Sequence, residues 1–246
     1  MNSLAGKVGI VTGAASGIGR AAALAFAREG VALVLADRDE AGGAATCKTV
    51  LDAGGRAIFL ATDVSDAEAC VRMVAAASHH FGRLDLALNN AAIQGPYAPI
   101  AEYPLDGWAA TLGINLSGVF YCLRAEIPLL LASGGGAIVN VASISGLISF
   151  QNQSGYVAAK HGVVGLTKAA CNEYGPLGIR CNAIAPGATE TPMLPGGISA
   201  EFRDVLPARR AAQPEEIAEA AVWLCSPRSS YVNGMCMPVD GGYLVQ

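Results

Sequence analysis

The sequence predicts a doubly wound α/β fold, in which a parallel sheet of seven strands carries helices on both faces. Short apolar runs rich in β-branched residues alternate with longer stretches of helical periodicity. The runs are apolar on both faces, as in parallel sheets that are covered on both sides. No linker, repeat or low-complexity stretch divides the 246 residues, so we expect one domain over residues 1–246.

The strand and helix candidates follow one another in regular order. Turn and cap residues delimit them: Gly30 and Gly82 end the first and third helices, and Ser65 is a plausible N-cap for the third. The predicted strands are 7–12, 31–37, 57–63, 84–92, 136–143, 179–187 and 235–242. The predicted helices are 15–30, 39–53, 66–81, 106–132, 154–175 and 214–225.

The segment from about 191 to 214 is the least regular part of the chain. Its Gly196 and Gly197 are hinge-like, and Met193, Leu194 and Phe202 are apolar. This composition predicts a flexible lid over a pocket. An ordinary surface excursion is the alternative interpretation.

Composition limits the function classes. The net charge is −4 without a long run of either sign, so the sequence offers no basic surface for nucleic acid and no polybasic membrane patch. The N-terminal residues lack a basic stretch followed by a long apolar core, so we expect no secretory signal. No apolar run reaches the roughly 18 residues that span a bilayer. Seven scattered cysteines and only three histidines indicate buried thiols in a reducing cytoplasm and no metal site. We expect a cytoplasmic protein that acts on a small molecule.

The hydrophobic share of 52% is high for a soluble chain, so we expect some apolar surface to be buried between subunits. The predicted helices 106–132 and 154–175 and the apolar, glycine-rich C-terminus 239–246 suit such packing.

A glycine-rich turn follows the first strand and opens the first helix. There, backbone N–H groups and the positive end of the helix favour a pyrophosphate, as in Rossmann domains that bind dinucleotides. The spacing is G-x-x-x-G-x-G rather than the common G-x-G-x-x-G. The predicted contacts are Gly13, Ser16, Gly17, Ile18 and Gly19.

Asp37 ends the second strand, 24 residues after Gly13. A carboxylate about 20 residues after the glycine turn binds the adenosine ribose hydroxyls and repels a 2′-phosphate, so NAD is favoured over NADP. Arg38 is the residue that could hold that phosphate, and a helix N-cap is the alternative role for Asp37. Asp63 and Val64, after the third strand, are placed to contact an adenine, although Asp63 is equally suited to capping.

These residues, with further motifs along the chain, resemble the short-chain dehydrogenase/reductase family in its single-domain branch of about 250 residues. The resemblance covers essentially the whole chain, and Ala92 is a departure, since the family usually has glycine there. The matching motifs are T-G-x-x-x-G-I-G at 12–19, N-N-A at 89–91, Asn115, Ser143, Y-x-x-x-K at 156–160, and Pro186-Gly187 followed by Thr191.

The resemblance implies a role for each matching residue. Tyr156 looks like the acid/base and Lys160 its partner; Ser143 orients the substrate oxygen, and Asn115 holds a water in a proton relay. Asn90 supports the adenosine side of the cofactor. The residues on the nicotinamide side of the cofactor would be Pro186, Gly187, Thr189 and Thr191. The family likeness also suggests a homotetramer with twofold axes.

The chemistry explains the tyrosine and lysine four residues apart. Interconverting an alcohol and a ketone needs a hydride carrier and a group that handles the proton. A free tyrosine has a pKa of about 10, and Lys160, one helical turn away, is expected to lower it with the nicotinium charge nearby. Asn115 is a poor helix former between Gly113 and Gly118, which predicts a local kink that exposes a carbonyl to water.

The sequence leaves three functions open. The first is an NAD-dependent oxidoreductase for a secondary, cyclic or hydroaromatic alcohol and its ketone. The second is a 3-oxoacyl-thioester (acyl-carrier-protein) reductase, against which Asp37 argues because such reductases usually prefer NADPH. The third, a non-enzymatic nucleotide-binding scaffold, conflicts with the intact catalytic set. Polar side chains at the expected substrate pocket favour a cyclic diol or ketol; the expected contacts are Gln94, Ser145, Gln151, Gln153, Met193 and Leu194.

Overall fold

The sheet has the predicted parallel architecture. In the computed structural model, which describes residues 3–245, seven strands form one sheet in the order β3-β2-β1-β4-β5-β6-β7, and every neighbouring pair is parallel. Residues 1, 2 and 246 of the predicted domain lie outside the described residues. The strands are β1 (Val8–Thr12), β2 (Ala32–Asp37), β3 (Arg56–Ala61), β4 (Leu86–Asn89), β5 (Gly136–Val141), β6 (Ile179–Pro186) and β7 (Cys236–Val239).

Helices cover both faces of this sheet. They are α1 (Gly17–Arg28), α2 (Glu40–Asp52), α3 (Ala67–Phe81), α4 (Leu105–Leu112), α5 (Gly118–Ala132), α6 (Ser154–Tyr174), α7 (Ala200–Val205) and α8 (Pro214–Cys225), and a π-helical turn, Gly113–Ser117, joins α4 to α5. The doubly wound α/β prediction is confirmed.

The alternation of side chains along each strand builds two separate cores. In β2, Leu33 and Leu35 pack with α1 and α8, whereas Ala32, Val34 and Ala36 pack with α3 and α5 on the other face. Successive side chains of a strand point to opposite faces, so an unbroken apolar run fills both cores at once.

The strand order reverses direction at β1, whose neighbours are β2 on one side and β4 on the other. The connections leaving β1 and β4 therefore diverge and open a crevice at the carboxyl edge of the sheet. In open α/β sheets, ligands bind in this crevice. The residues after β1, β2, β4, β5 and β6 lie along that edge.

Several predicted boundaries change in the structure. Helix α1 starts at Gly17 rather than 15, since Ser16 has extended backbone (φ −153°). The predicted N-cap Ser65 is wrong: Asp66 caps α3 by accepting from the Glu68 N–H at 2.9 Å. The predicted helix 106–132 is divided by the π-helical turn, and α7 lies in a segment that the sequence had left irregular.

The joined stretch Leu105–Ala132 is long and apolar enough to cross a membrane by length and composition alone. Buried core helices of soluble proteins pass the same test. Here α5 packs against α3 beneath the sheet, and 44% of the stretch's most apolar window is buried inside the protein.

Glu126 is a carboxyl group buried completely within α5. Its Oε2 accepts from Asn89 Nδ2 at 3.1 Å, and the same nitrogen donates to Asn140 Oδ1 at 3.0 Å. Among the described residues, Glu126 Oε1 and Asn89 Oδ1 have no hydrogen-bond partner. Burial raises the pKa of Glu126 to about 7, and the hydrogen bond from Asn89 only partly opposes this. The group is therefore favoured as the neutral acid.

We expect Glu126→Gln to remove a pH dependence of stability. Because the folded pKa is raised from 4.5 to about 7, the contribution of Glu126 is fully present below pH 4.5 and is lost as pH rises through 7. That difference corresponds to roughly 3 kcal/mol. In urea unfolding, the free energy of unfolding of the variant relative to that of the wild type should therefore increase by up to that amount between low and high pH. Exposed Glu173→Gln is the control, and parallel curves for wild type and Glu126→Gln would contradict this assignment.

Candidate active site

The glycine-rich turn between β1 and α1 has the backbone geometry of a close-approach cradle. Gly13 and Gly17 have positive φ, 66° and 50°. A Cβ on Gly13 would lie 2.7 Å from Asn90 Nδ2, and one on Gly19 would collide with the Gly13 carbonyl oxygen. Only glycine fits these positions, and the turn leaves its backbone open toward the crevice.

Two side chains fix this turn to the neighbouring strand. Thr12 Oγ1 accepts from the backbone N–H groups of Asn90 (2.9 Å) and Ala91 (3.1 Å). Asn90 Nδ2 donates in return to the carbonyls of Thr12 (3.0 Å) and Gly13 (3.2 Å). Asn90 thus supports the glycine-rich turn itself. Thr12 opens the motif at 12–19 but was not among the predicted site residues, because the motif does not show which backbone groups its hydroxyl meets after folding.

A cavity of about 220 Å³ lies beside the turn on its adenosine side. A dinucleotide fits this lining, which combines the close-approach glycines of the turn with the carboxylates of Asp37 and Asp63 and the apolar side chains of Ile18 and Val64. The predicted cofactor residues that line the cavity are Gly13, Ser16, Gly17, Ile18, Asp37, Asp63, Val64, Asn90 and Thr191. Gly19 does not line it and serves the close packing of the turn instead.

Asp37 holds the shape of this cavity as well as lining it. Its two oxygens accept from the backbone N–H groups of Ala15 and Asp39, each at 2.9 Å. The N-cap of α2 is Asp39, so the alternative role of Asp37 as a cap is wrong. Arg38 lines the same cavity, so both the residue that repels a 2′-phosphate and the residue that could hold it are present.

Asp63 stabilises a turn and does not cap a helix, and its contact with an adenine stays a prediction. It lines the cavity, and its Oδ1 accepts from the Ser65 hydroxyl (2.7 Å) and backbone N–H (2.9 Å). These hydrogen bonds, led by that of the hydroxyl, hold the pKa of Asp63 below its ordinary value. Asp63 therefore stays ionised and shapes the turn that presents Val64.

A second cavity, of about 350 Å³, continues from the first along Ile18, Asn90, Ala92 and Thr191. Its lining brings the end of β5, the start of α6 and the residues after β6 together. The predicted residues on its wall are Gln94, Ser143, Ser145, Gln153, Tyr156, Lys160, Pro186, Gly187, Thr189, Thr191, Met193 and Leu194.

Ser143 and Tyr156 meet on this wall. Ser143 lies two residues beyond β5, where its Oγ accepts from the Ser145 N–H at 3.1 Å. Tyr156 lies in the first turn of α6 and is only 9% exposed. Burial raises the pKa of Tyr156 to about 12, and a hydrogen bond with Ser143 acts in the opposite direction. The phenol is therefore neutral near pH 7, with Ser143 beside it.

Lys160 lies one turn further along α6 and is 2% exposed. Its Nζ donates to the Val141 carbonyl at 2.7 Å and lies 5.6 Å from the centre of the Tyr156 ring. Burial lowers the pKa of Lys160 to about 8. In the protein without cofactor, desolvation dominates the pKa of Tyr156 and the Lys160 ammonium bonds to the backbone of β5. The expected lowering of that pKa by Lys160 and the nicotinium charge together stays a prediction.

Asn115 lies in the π-helical turn, where the sequence predicted a kink. The residue is fully buried, its Oδ1 accepts from the Ile93 N–H at 2.8 Å, and its Nδ2 donates to the Ile93 carbonyl at 2.7 Å. The side chain thus anchors the segment after β4. A water relay through Asn115 stays a prediction, and it would have to use the main-chain carbonyl, because the amide is taken up by Ile93.

The structure also separates the predicted substrate residues from one another. Gln151 is exposed and lies outside both cavities, whereas Gln153, two residues on, lines the substrate cavity. Sequence reasoning missed Tyr97 and Phe150, which lie in irregular segments on the same wall. Within residues 3–245, no group of three His, Cys, Asp or Glu side chains is placed to hold a metal ion.

Comparison with known proteins defines the class. A family model described as enoyl-(acyl carrier protein) reductase matches residues 13–244. The chain is also 43% identical over 242 residues to a cyclohexanol dehydrogenase of Acinetobacter sp. (strain SE19), covering 98% of this chain and 96% of that protein. Fold and sequence thus define a nicotinamide-dependent oxidoreductase acting on CH–OH groups. The chain belongs to the short-chain dehydrogenase/reductase family, as its motifs predicted.

Two solved structures are similar over nearly the whole chain. A carveol dehydrogenase from Mycobacterium avium in complex with NAD is 30% identical, with a TM-score of 0.96 and 100% of both chains covered. A 3-ketoacyl-(acyl-carrier-protein) reductase from Brucella melitensis complexed with NADH is 36% identical, with a TM-score of 0.93, and the match covers 98% of this chain and 99% of that one.

We expect Thr12→Val to disturb both folding and cofactor binding. The substitution removes the acceptor of two backbone N–H groups, which costs about 1–3 kcal/mol of unfolding free energy. The glycine turn also loses its anchor, so the Kd for NADH should rise. Urea unfolding and quenching of NADH fluorescence measure the two effects. Thr12→Ser keeps the hydroxyl and is the matched control; equal behaviour of the two variants would show that these hydrogen bonds are unimportant.

Proposed function

We propose that this protein interconverts a secondary alcohol of a ring compound and the corresponding ketone, with NAD as the cofactor. The observation that carries the proposal is the neutral phenol of Tyr156 beside the Ser143 hydroxyl, on the wall of a largely apolar cavity. Pro186, Gly187, Thr189 and Thr191 line the same cavity and would hold the nicotinamide side of the dinucleotide.

The bound dinucleotide supplies the hydride chemistry. The chain supplies the proton. In ketone reduction, Tyr156 Oη donates its proton to the carbonyl oxygen, and Ser143 Oγ stabilises the charge that develops there by a second hydrogen bond. In alcohol oxidation, the same oxygen would have to be the phenolate, which takes the proton from the alcohol and becomes the neutral phenol. The pKa of about 12 keeps Tyr156 protonated at neutral pH, which suits the reductive direction.

The cavity supports a ring substrate with a second oxygen. Ile144, Phe150 and Leu194 contribute apolar wall. Gln94 Nε2 donates to Gln153 Oε1 at 3.3 Å, which leaves the amide oxygen of Gln94 and the amide nitrogen of Gln153 as an acceptor and a donor. A hydroxyl group can satisfy both, which favours a cyclic diol or ketol. The likeness to a cyclohexanol dehydrogenase and a carveol dehydrogenase supports a cyclic alcohol.

The preference for NAD rests on Asp37. Its carboxylate lines the adenosine cavity, where it would repel a 2′-phosphate. The similar structures with NAD and NADH support this cofactor. The reductase from Brucella melitensis keeps a 3-oxoacyl thioester as the second candidate substrate.

We also propose a cytoplasmic homotetramer. Leu105, Trp108 and Phe120 leave apolar surface exposed along α4 and α5, which a partner subunit would cover. Seven free cysteines, five of them buried, fit a reducing compartment.

We expect Tyr156→Phe to lower kcat/KM for cyclic ketone reduction by about 10²–10⁴-fold, because the proton donor is lost while the cavity keeps its shape. The assay follows NADH at 340 nm with cyclohexanone, a cyclic ketol and a 3-oxoacyl thioester. Tyr174→Phe, at the far end of α6, is the matched control. Retained activity in Tyr156→Phe would overturn the mechanism, and exclusive turnover of the thioester would overturn the substrate class.

We expect Asp37→Asn to lower the ratio of kcat/KM for NADH to that for NADPH by about tenfold or more, because the repulsive charge is removed while an oxygen remains to accept a backbone N–H. Asp39→Asn, which keeps an N-cap residue outside the cavity, is the matched control. An unchanged ratio in Asp37→Asn would show that Asp37 does not select the cofactor.

A further inference from the structure

The C-terminal turn inserts Tyr243 between two aromatic rings of the substrate cavity. The ring centre of Tyr243 lies 5.9 Å from that of Phe150, with 27° between the planes, and 5.3 Å from that of Phe202, with 22° between the planes. Phe150 and Phe202 both line the cavity, and Tyr243 does not. The three rings thus form one stack, in which Tyr243 contacts both Phe150 and Phe202 from outside the cavity.

The two lining rings come from separate segments. Phe150 lies in the loop that leads from Ser143 to α6, whereas Phe202 lies on α7 in the predicted lid. Helix α7 has only six residues, none of them buried. A helix of that length is not stable by itself, so its position depends on contacts made by its neighbours. The stack on Tyr243 is such a contact, and Leu206, 2% exposed, is another.

The turn that carries Tyr243 is itself held firmly. Asp240 accepts from the backbone N–H groups of Gly242 and Leu244, each at 2.9 Å, through its two carboxylate oxygens. The Ala208 N–H, just after the lid helix, donates to the Gly241 carbonyl at 3.1 Å. The C-terminal turn thus packs on the lid of its own chain. Its expected part in subunit packing stays a prediction.

We propose that Tyr243 is a specificity-determining positioning residue, which holds Phe150 and Phe202 in place as the aromatic part of the substrate cavity wall, where a substrate ring would pack. The inference rests on the proposed function and adds the element that selects cyclic over small acyclic alcohols. A ring substrate packs against this aromatic wall, whereas a small acyclic alcohol reaches Tyr156 and Ser143 without contacting it.

The test compares Tyr243→Ala with Tyr243→Phe, which keeps the ring. We expect Tyr243→Ala to raise KM for cyclohexanol about tenfold, as expected for the loss of two aromatic contacts, and to leave KM for 2-propanol within about twofold. Tyr243→Phe should behave as wild type for both alcohols. Tyr243→Leu, which fills space without an aromatic ring, should show the same increase of KM for cyclohexanol as Tyr243→Ala. It takes the place of the alanine variant if that variant does not fold. Equal KM values for cyclohexanol in all variants would overturn the proposal.

A second readout does not depend on turnover. Arg203 lies on α7, so trypsin should cut there faster in Tyr243→Ala than in Tyr243→Phe, at equal melting temperature. If the wild type turns over cyclohexanol and the variants have the same KM, the role of Tyr243 is contradicted but the proposed function is not. Wild type that turns over no alcohol contradicts the proposed function, and the rate of cleavage at Arg203 then decides whether Tyr243 holds the lid. Equal cleavage rates would overturn that role too.

Discussion

The hydrogen bond from the buried Lys160 ammonium to the Val141 carbonyl is the contact on which the site depends. It ties the start of α6 to the end of β5. Tyr156 lies one turn before Lys160, and Ser143 lies two residues after Val141, so a single bond sets the phenol beside the hydroxyl. A cation in the interior costs free energy, and proteins retain such groups mainly where they have a function.

Burial shifts the pKa values of Tyr156 and Lys160 in opposite directions, and both shifts favour the neutral form of the side chain. It raises the pKa of the phenol to about 12 and lowers that of the ammonium to about 8, so both groups are pushed toward their neutral forms. The protein by itself therefore holds a proton ready on the phenolic oxygen. The hydrogen bond with the Ser143 hydroxyl opposes the shift of the Tyr156 pKa only in part.

The fold could be read from the sequence because each strand is apolar on both faces, and this pattern alone requires a covered parallel sheet. The glycine-rich turn and the tyrosine–lysine pair could also be predicted, because the residues of each motif lie close together in the sequence. Contacts between distant segments were not. The commitment of the Asn115 amide to Ile93 and the stack of Tyr243 on Phe150 arise only after folding. The direction of the Tyr156 shift depends on depth of burial, which spacing does not encode.

The most direct test of the account is the crystal structure of the protein with NADH and a non-reacting cyclic ketone analogue. The analogue's oxygen is expected to lie about 2.5–3.2 Å from both Ser143 Oγ and Tyr156 Oη. Its ring is expected to pack against Phe150 and Phe202. An analogue oxygen bound away from Tyr156, with the dinucleotide in place, would contradict it.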